Sequence, residues 1–226
     1  SARTYFLDWI HEYNGVYTHV GGNNDALVRL RKEKIFNADQ FIFEKDKYFW
    51  REGVGKTALE HTMFTSGEKL MQLMNDQKWY KIPIEKRYVG DLDWGEYPKV
   101  STIKINFGSQ TYSVDYEYDP VLGKYLRSQN RAPHIDHNND KQITVNTIAV
   151  QRVKTWSNND AEGSISMKTI GTGEAVVFTQ GRAVKGYWKK DSLESPTRFY
   201  DEKNVEIPLK NPTWIEVLPV ENTLTY

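Results

Sequence analysis

The sequence predicts an α+β fold, in which an α/β domain over residues 1–90 precedes a β-rich antiparallel domain over residues 91–226. Apolar residues recur at helical spacing in the first region, whereas in the second they alternate with polar residues, as in strands with one buried face. Residues 81–99, between the two patterns, are polar and contain two prolines and two glycines, which is typical of a connection between domains.

The first domain is predicted to begin with a helix, a strand and a glycine turn. Large apolar side chains at helical spacing predict an amphipathic helix over residues 3–13, which Gly15 ends. Residues 15–20 have the composition of a buried strand, and Gly21 and Gly22 end that strand.

Two further helices are predicted from capping residues. Asn24 is suited to cap a helix that has Leu27 and Leu30 on its inner face. Thr65 and Glu68 have the spacing of a capping box, in which the hydroxyl and the carboxylate satisfy each other's backbone amides.

The second domain is predicted to be an antiparallel sandwich or barrel. Residues 103–107 and 112–118 alternate between apolar and polar, and Gly108-Ser109 separates them, so they form a hairpin. Turn residues separate the later strands at fairly even intervals. These strands are Ile143–Val153, Ile165–Ile170, Glu174–Gln180, Ala183–Trp188, Thr197–Tyr200 and Thr213–Leu218.

Composition excludes several classes of protein. Thirty basic residues balance thirty acidic ones, so the positive surplus that nucleic-acid binding requires is missing. The absence of cysteine excludes thiol nucleophiles, disulfides and zinc–thiolate sites from this chain. No apolar run approaches the roughly 20 residues of a membrane helix, and no signal peptide is recognised.

Side chains capable of binding or proton chemistry are most concentrated in the loop of residues 127–140. It contains Arg127, His134, Asp136, His137 and Asp140. We expect internal bonds to hold this long loop against its ordering entropy, with Arg127 paired to a carboxylate, most simply Asp136. Three interpretations remain open: a metal site built on alternating His134 and Asp136, a metal-free polar site, or a solvated turn in which Asn and Asp bond to the local backbone. The loop lacks the glycine and the distal glutamate of a calcium-binding loop, and we predict neither a metal nor a cofactor.

A second candidate site lies at the end of the first strand. His19 precedes Gly21 and Gly22, and a strand end followed by glycines and a capped helix exposes backbone amides to a ligand. The alternative is a histidine that only closes the strand end. The chain has no G-x-S-x-G nucleophile elbow, and the paired Asp91 and Asp93 are expected to be solvated.

A third motif, residues 53–57, resembles the end of a phosphate-binding P-loop. The complete motif requires a glycine where this chain has Trp50. A bulky ring at that position blocks the backbone from wrapping a phosphate, so we predict that the segment binds no nucleotide.

Several segments resemble the YerB-like lipoprotein family of Gram-positive bacteria. In the first domain they are Ser1–Asp8, Tyr17–Gly22 and His61–Ser66; in the second they are Tyr125–Arg127, Pro133–Asp136, Ile143–Val150, Lys168–Phe178 and Gly186–Lys189. The family has Pro-His-Asn near His61 where this chain differs. The resemblance implies a two-part domain of unknown function in an extracellular protein held to the membrane by an N-terminal lipid anchor. It also implies additional strands ahead of Ser1, so the first domain is expected to lack part of its sheet.

These observations lead to a functional prediction. We expect a non-enzymatic envelope protein that binds a cell-wall component or another envelope protein and contacts the membrane only through its lipid anchor. The alternative is a cell-wall hydrolase or transferase that uses His134 and Asp136 as an acid/base pair, with Arg127 holding an anion. The candidate binding residues are Arg127, His134, Asp136, His19, Gly21 and Gly22, together with Arg3 and Trp188 from the segments that carry the resemblance.

Overall fold

The computed structural model describes residues 1–43, 45–80, 93–161 and 163–226. The chain divides into two compact units. Unit 1 comprises Ser1–Glu85 with Leu193–Ser195, and unit 2 comprises Lys86–Ser192 with Pro196–Tyr226. The predicted boundary at residue 90, and the pair Asp91 and Asp93 in part, lie outside the described residues.

Unit 1 is built from short helices and short strands. The elements are α1 (Thr4–Tyr13), β1 (Tyr17–His19), α2 (Asn24–Lys32), β2 (Asn37–Asp39), α3 (Lys45–Tyr48), β3 (Trp50–Arg51), β4 (Met63–Phe64) and α4 (Gly67–Asp76). Parallel strands β1 and β2 flank helix α2, which gives a βαβ crossover, while β3 and β4 form an antiparallel pair.

Helix ends in unit 1 differ from the prediction by one residue. Asn14, not Gly15, adopts the left-handed conformation that ends α1. Asn23, not Asn24, caps α2 through a bond from the backbone amide of Ala26. Ser66 caps α4, and the Thr65 hydroxyl instead donates to the backbone carbonyl of Tyr48. In each case two adjacent residues are chemically suited to the cap, and the path of the chain selects one.

Two small apolar clusters hold unit 1 together. One joins α1 to α2 through Leu7, Ala26 and Leu30, and the other packs Phe49 against Leu73 of α4. Within the described residues β1 pairs only with β2, so it is an edge strand there.

Unit 2 contains two large antiparallel sheets. The strands of the front sheet are β5 (Thr102–Asn106), β6 (Val114–Asp119), β7 (Lys124–Gln129), β8 (Ala132–Pro133), β11 (Thr144–Val145) and β19 (Thr223–Thr225). The strands of the back sheet are β12 (Thr147–Val153), β15 (Gly171–Thr179), β16 (Arg182–Lys190), β17 (Arg198–Asp201) and β18 (Thr213–Pro219). The front sheet has the order β11-β7-β6-β5-β19, with β8 beside β7. The back sheet has the order β17-β16-β15-β12-β18, in which only β12 and β18 are parallel.

Two ribbons complete unit 2. They are the pair β9 (Ile135–Asp136) and β10 (Lys141–Gln142), and the pair β13 (Thr155–Ser157) and β14 (Ile165–Met167). The main core lies between the front and back sheets and contains Ile103, Tyr116, Ile148 and Phe178. A second core covers the opposite face of the back sheet. The predicted α+β class is confirmed, because the helical spacing of the first domain and the strand alternation of the second are local patterns that packing does not override.

Candidate functional site

Arg127 lies inside unit 2 in a network that joins the two sheets. Its Nε donates to the Tyr116 hydroxyl at 3.1 Å, and its Nη2 lies 3.7 Å from Oε1 of Glu216. The Tyr116 hydroxyl donates to the same carboxylate at 2.6 Å. The guanidinium also stacks over Trp214, 4.3 Å from the ring centre. Arg127 is only 5% exposed, so it is the buried partner of Glu216 and not an open anion clamp.

Burial sets the ionisation of this network. It raises the pKa of the Tyr116 hydroxyl and the pKa of Glu216, and Arg127 opposes both shifts. A buried carboxyl group stays ionised at neutral pH only if it is paired with a positive charge and hydrogen-bonded. Arg127 and Tyr116 provide these contacts to Glu216.

His134 belongs to the same network. Its Nδ1 accepts from Nη1 of Arg127, and its ring meets Trp214 edge-on at 6.2 Å. Burial and the positive charge of Arg127 lower the pKa of His134. The imidazole is therefore neutral at pH 7, and its hydrogen bond helps to hold the guanidinium of Arg127 in place.

Asp136 is used in a local turn. Its carboxylate accepts from the backbone amide of Asn138 at 2.9 Å and from the side-chain amides of Asn138 and Asn139. It does not pair with Arg127, contrary to the simplest expectation for this loop, because Glu216 occupies that role. The segment folds as two tight hairpins and is well bonded, as predicted from the entropy of ordering so long a loop.

His19 closes the turn between β1 and α2. Its Nδ1 lies 2.7 Å from the carbonyl oxygen of Gly21 and its Nε2 lies 2.5 Å from Oδ1 of Asn37. Asp39 accepts from the backbone amide of Gly21 at 3.1 Å, and Gly22 packs against Ala2 with no room for a Cβ. The ring of His19 is 2% exposed, so the geometry favours the interpretation in which this histidine closes the strand end.

Arg3 and Trp188, the two candidates from the segments that carry the family resemblance, also form hydrogen bonds within the chain. Arg3 donates from Nη1 to the Ser1 hydroxyl at 2.7 Å and to the carbonyl of Ala2. Trp188 is 1% exposed in the second core, and its Nε1 donates to the carbonyl of Arg152 at 2.7 Å. The ring of Trp188 is therefore a packing element, whereas a binding role would require an accessible ring face.

An open groove of about 730 Å³ lies elsewhere in unit 2. Its floor is the part of the back sheet that the front sheet leaves uncovered, where Glu174 and Lys185 are exposed. Its wall is β19, the edge strand of the front sheet, with Leu224 and the exposed Tyr226. The sequence analysis did not predict this groove. Its signal in the sequence is the presence of charged residues among the alternating apolar residues of β15 and β16.

The strand register arranges the floor in rows. Gln151 is opposite Ala175, so the next residue, Arg152, is opposite Glu174. Glu174 is opposite Tyr187, which stacks on Tyr200 at 5.2 Å.

Arg152 stands at the end of this row with unused donor capacity. Its Nη2 donates to the carbonyls of Val220 and Asn222, at 2.6 and 2.8 Å. Its Nη1 has no hydrogen-bond partner among the described residues, and no ion pair there joins it to Glu174. An unpartnered buried donor is uncommon in a folded protein, and this one belongs to a side chain that lines the groove.

Other chemical features are limited in the described part of the chain. There, His, Asp and Glu side chains form no group of three that would hold a metal ion. No helix among those residues is both long and apolar enough to span a membrane. The P-loop-like segment is an exposed turn in which Gly53 and Gly55 have positive φ angles.

The two units and their sheets define a two-part α+β domain. The chain belongs to a family of proteins of unknown function, DUF3048: its N-terminal domain model matches residues 1–80 and its C-terminal domain model matches residues 103–215. The fold is similar to the crystal structure of YerB protein from Bacillus subtilis, with a TM-score of 0.83 and 19% identity over 100% of this chain and 75% of that chain. No curated protein matches the sequence. The predicted YerB-like relationship is confirmed.

Proposed function

We propose that this protein is a non-catalytic binding module of the cell envelope and that its ligand is a cell-wall component. The observation that carries this proposal is the groove of unit 2, because it combines exposed charged side chains, aromatic rings and an unpartnered guanidinium nitrogen on rigid strands. Rigid elements that present convergent polar groups in a concavity are typical of ligand sites.

The alternative, a hydrolase or transferase that uses His134 and Asp136, has less geometric support. An acid/base pair requires two groups that can reach one substrate atom. His134 contacts Arg127 through Nδ1, whereas the carboxylate of Asp136 accepts three bonds within its own turn. Arg127 is bonded to Tyr116 and Gln129 and paired with Glu216, so it offers no anion clamp.

The location is part of the same proposal. The lipoproteins that the sequence resembles support placement on the extracellular face of the membrane, through a lipid anchor ahead of Ser1. Balanced charge also fits this proposal better than nucleic-acid binding, because neither sign of charge dominates the chain.

Co-sedimentation with purified insoluble cell wall tests the proposed function. We expect the protein to pellet with the wall in a saturable manner and to release no soluble wall fragments. Release of fragments would support the enzyme instead. Failure to pellet, with capture of an envelope protein by the same preparation, would replace the cell-wall ligand by a protein partner.

A further inference from the structure

We propose that the groove of unit 2 binds an uncharged stretch of glycan, through the hydroxyl and acetamido groups of its sugars. This inference rests on the proposed function and names the ligand class and the residues that recognise it. The cell-wall polymers that compete for the assignment are anionic polyol phosphates, and the charges of the groove distinguish between these two chemistries.

Charges within the groove are balanced and interspersed. Arg152 and Lys185 are its basic side chains, and Glu174 and Glu202 are its acidic ones. A polyanion is recognised by clustered positive charge, and two carboxylates in the same groove would repel it. A neutral ligand meets no such repulsion.

Donors and acceptors alternate along the floor in a way that suits hydroxyl groups. Glu174 lies between Arg152 and Tyr187 across the strands, and Lys185 lies opposite Val176 in the adjacent row. A sugar hydroxyl both donates and accepts, so it can bond to a carboxylate and a cation at the same time. Hydrogen bonds of this kind to charged groups are stronger than those between neutral groups.

Aromatic and apolar surface accompanies these charges. Tyr187 lies on the floor beside Val176, and Leu224 and Tyr226 lie on the wall. Tyrosine combines an apolar ring with a polar hydroxyl, which fits the mixed apolar and polar surface of a sugar.

Arg152 provides an independent observation. Its Nη2 is fixed by two backbone carbonyls, so the guanidinium is held in place, while Nη1 has no partner among the described residues. Because Arg152 also lines the groove, its fixed guanidinium places a positive charge beside a ligand there at little cost in conformational entropy.

The test uses two probes: insoluble cell wall before and after removal of the phosphodiester-linked polymers, and a soluble N-acetylglucosamine tetramer. We expect binding to the wall to survive the removal and the tetramer to compete. Increasing the salt concentration from about 50 to 500 mM should change the affinity less than about threefold, because a neutral ligand is insensitive to screening. The double variant Glu174→Ala with Lys185→Ala should weaken tetramer binding at least about tenfold.

Glu117→Ala is the matched control, because Glu117 is an exposed glutamate on a strand of the front sheet. Its tetramer affinity should equal that of the wild type. Loss of wall binding after polymer removal would overturn the inference, as would wild-type affinity in the double variant. Both results leave the proposed function standing if the untreated wall is bound, whereas absence of all wall binding would contradict the proposed function itself.

Discussion

Arg127 and Arg152 each bridge separate parts of unit 2, but their surroundings differ. Arg127 is buried, and its three nitrogens face Tyr116, Gln129, His134 and Glu216. Arg152 is only partly buried, and one of its nitrogens has no partner among the described residues. The contacts of Arg127 hold the two sheets together, whereas Arg152 also lines the groove, where its charge can face a ligand.

This difference shows why a concentration of reactive residue types is a weak guide to function. The segment of residues 127–140 contains arginine, histidine and aspartate side chains close together in sequence, yet its main contacts are internal. The groove has fewer such side chains, and they are spread over several strands. The two regions differ in how many of their polar atoms already have a hydrogen-bond or ion-pair partner within the chain.

The largest expected effect is on stability, from Arg127→Ala. Removing this guanidinium leaves Glu216 buried without its counter-charge, so we expect a loss of about 3–5 kcal/mol in the free energy of unfolding. Thermal unfolding should show a midpoint lower by roughly 10 °C or more for a chain of this size. Lys141→Ala, which removes an exposed charge directly after the segment of residues 127–140, should shift the midpoint little. Equal midpoints for the two variants would show that the network contributes nothing.

Arg152→Ala should cost less stability than Arg127→Ala. It removes two bonds from Nη2 to the carbonyls of Val220 and Asn222, and water can reach the exposed end of that turn. We expect a loss of about 1–3 kcal/mol, measured by urea unfolding. A loss as large as that of Arg127→Ala would contradict the contrast drawn between the two arginines.

The pH dependence of stability should carry a small contribution from His134. Burial and Arg127 lower its pKa below the ordinary value of 6.5. His134 therefore binds a proton more readily in the unfolded chain than in the folded one. The stability that its neutral imidazole contributes is present above pH 6.5 and is lost as the pH falls through the lowered pKa of the folded state.

The variant His134→Gln isolates that contribution. Glu216 has a raised pKa, so its contribution has the opposite sign, but both proteins retain it and it largely cancels in the comparison. Between about pH 7.5 and 5, the wild type should lose more stability than His134→Gln. Parallel curves of unfolding free energy against pH would contradict the assigned direction.

The sequence predicts local secondary structure well, but it does not predict which distant residues contact one another. Alternation in the second domain predicted strands that match β15, β16 and β18 closely, because alternate burial is imposed on every residue of such a strand. The predicted strand Ile165–Ile170 is shorter in the structure, where β14 ends at Met167. Tyr112 is also an exception: it is 62% exposed, because a turn of 3₁₀ helix interrupts the hairpin there.

The candidate sites depend on information that the sequence does not display. Glu216 lies 100 residues from Tyr116 in the chain, so the partner of Arg127 could not be identified from spacing, and nearby Asp136 was the simpler choice. The groove likewise depends on which residues of three strands stand opposite one another. A shift of one residue would place Glu174 and Lys185 on the other face of the sheet.

The central claim is that the groove, and not the loop of residues 127–140, binds cell-wall material. The most direct measurement is the dissociation constant for purified cell wall of two double variants, each corrected for its folded fraction. One is Glu174→Ala with Lys185→Ala in the groove, and the other is His134→Gln with Asp136→Asn in the loop. We predict that the groove variant binds at least about tenfold more weakly than the wild type and that the loop variant binds equally well. Weaker binding by the loop variant, with an unaffected groove variant, would contradict the account.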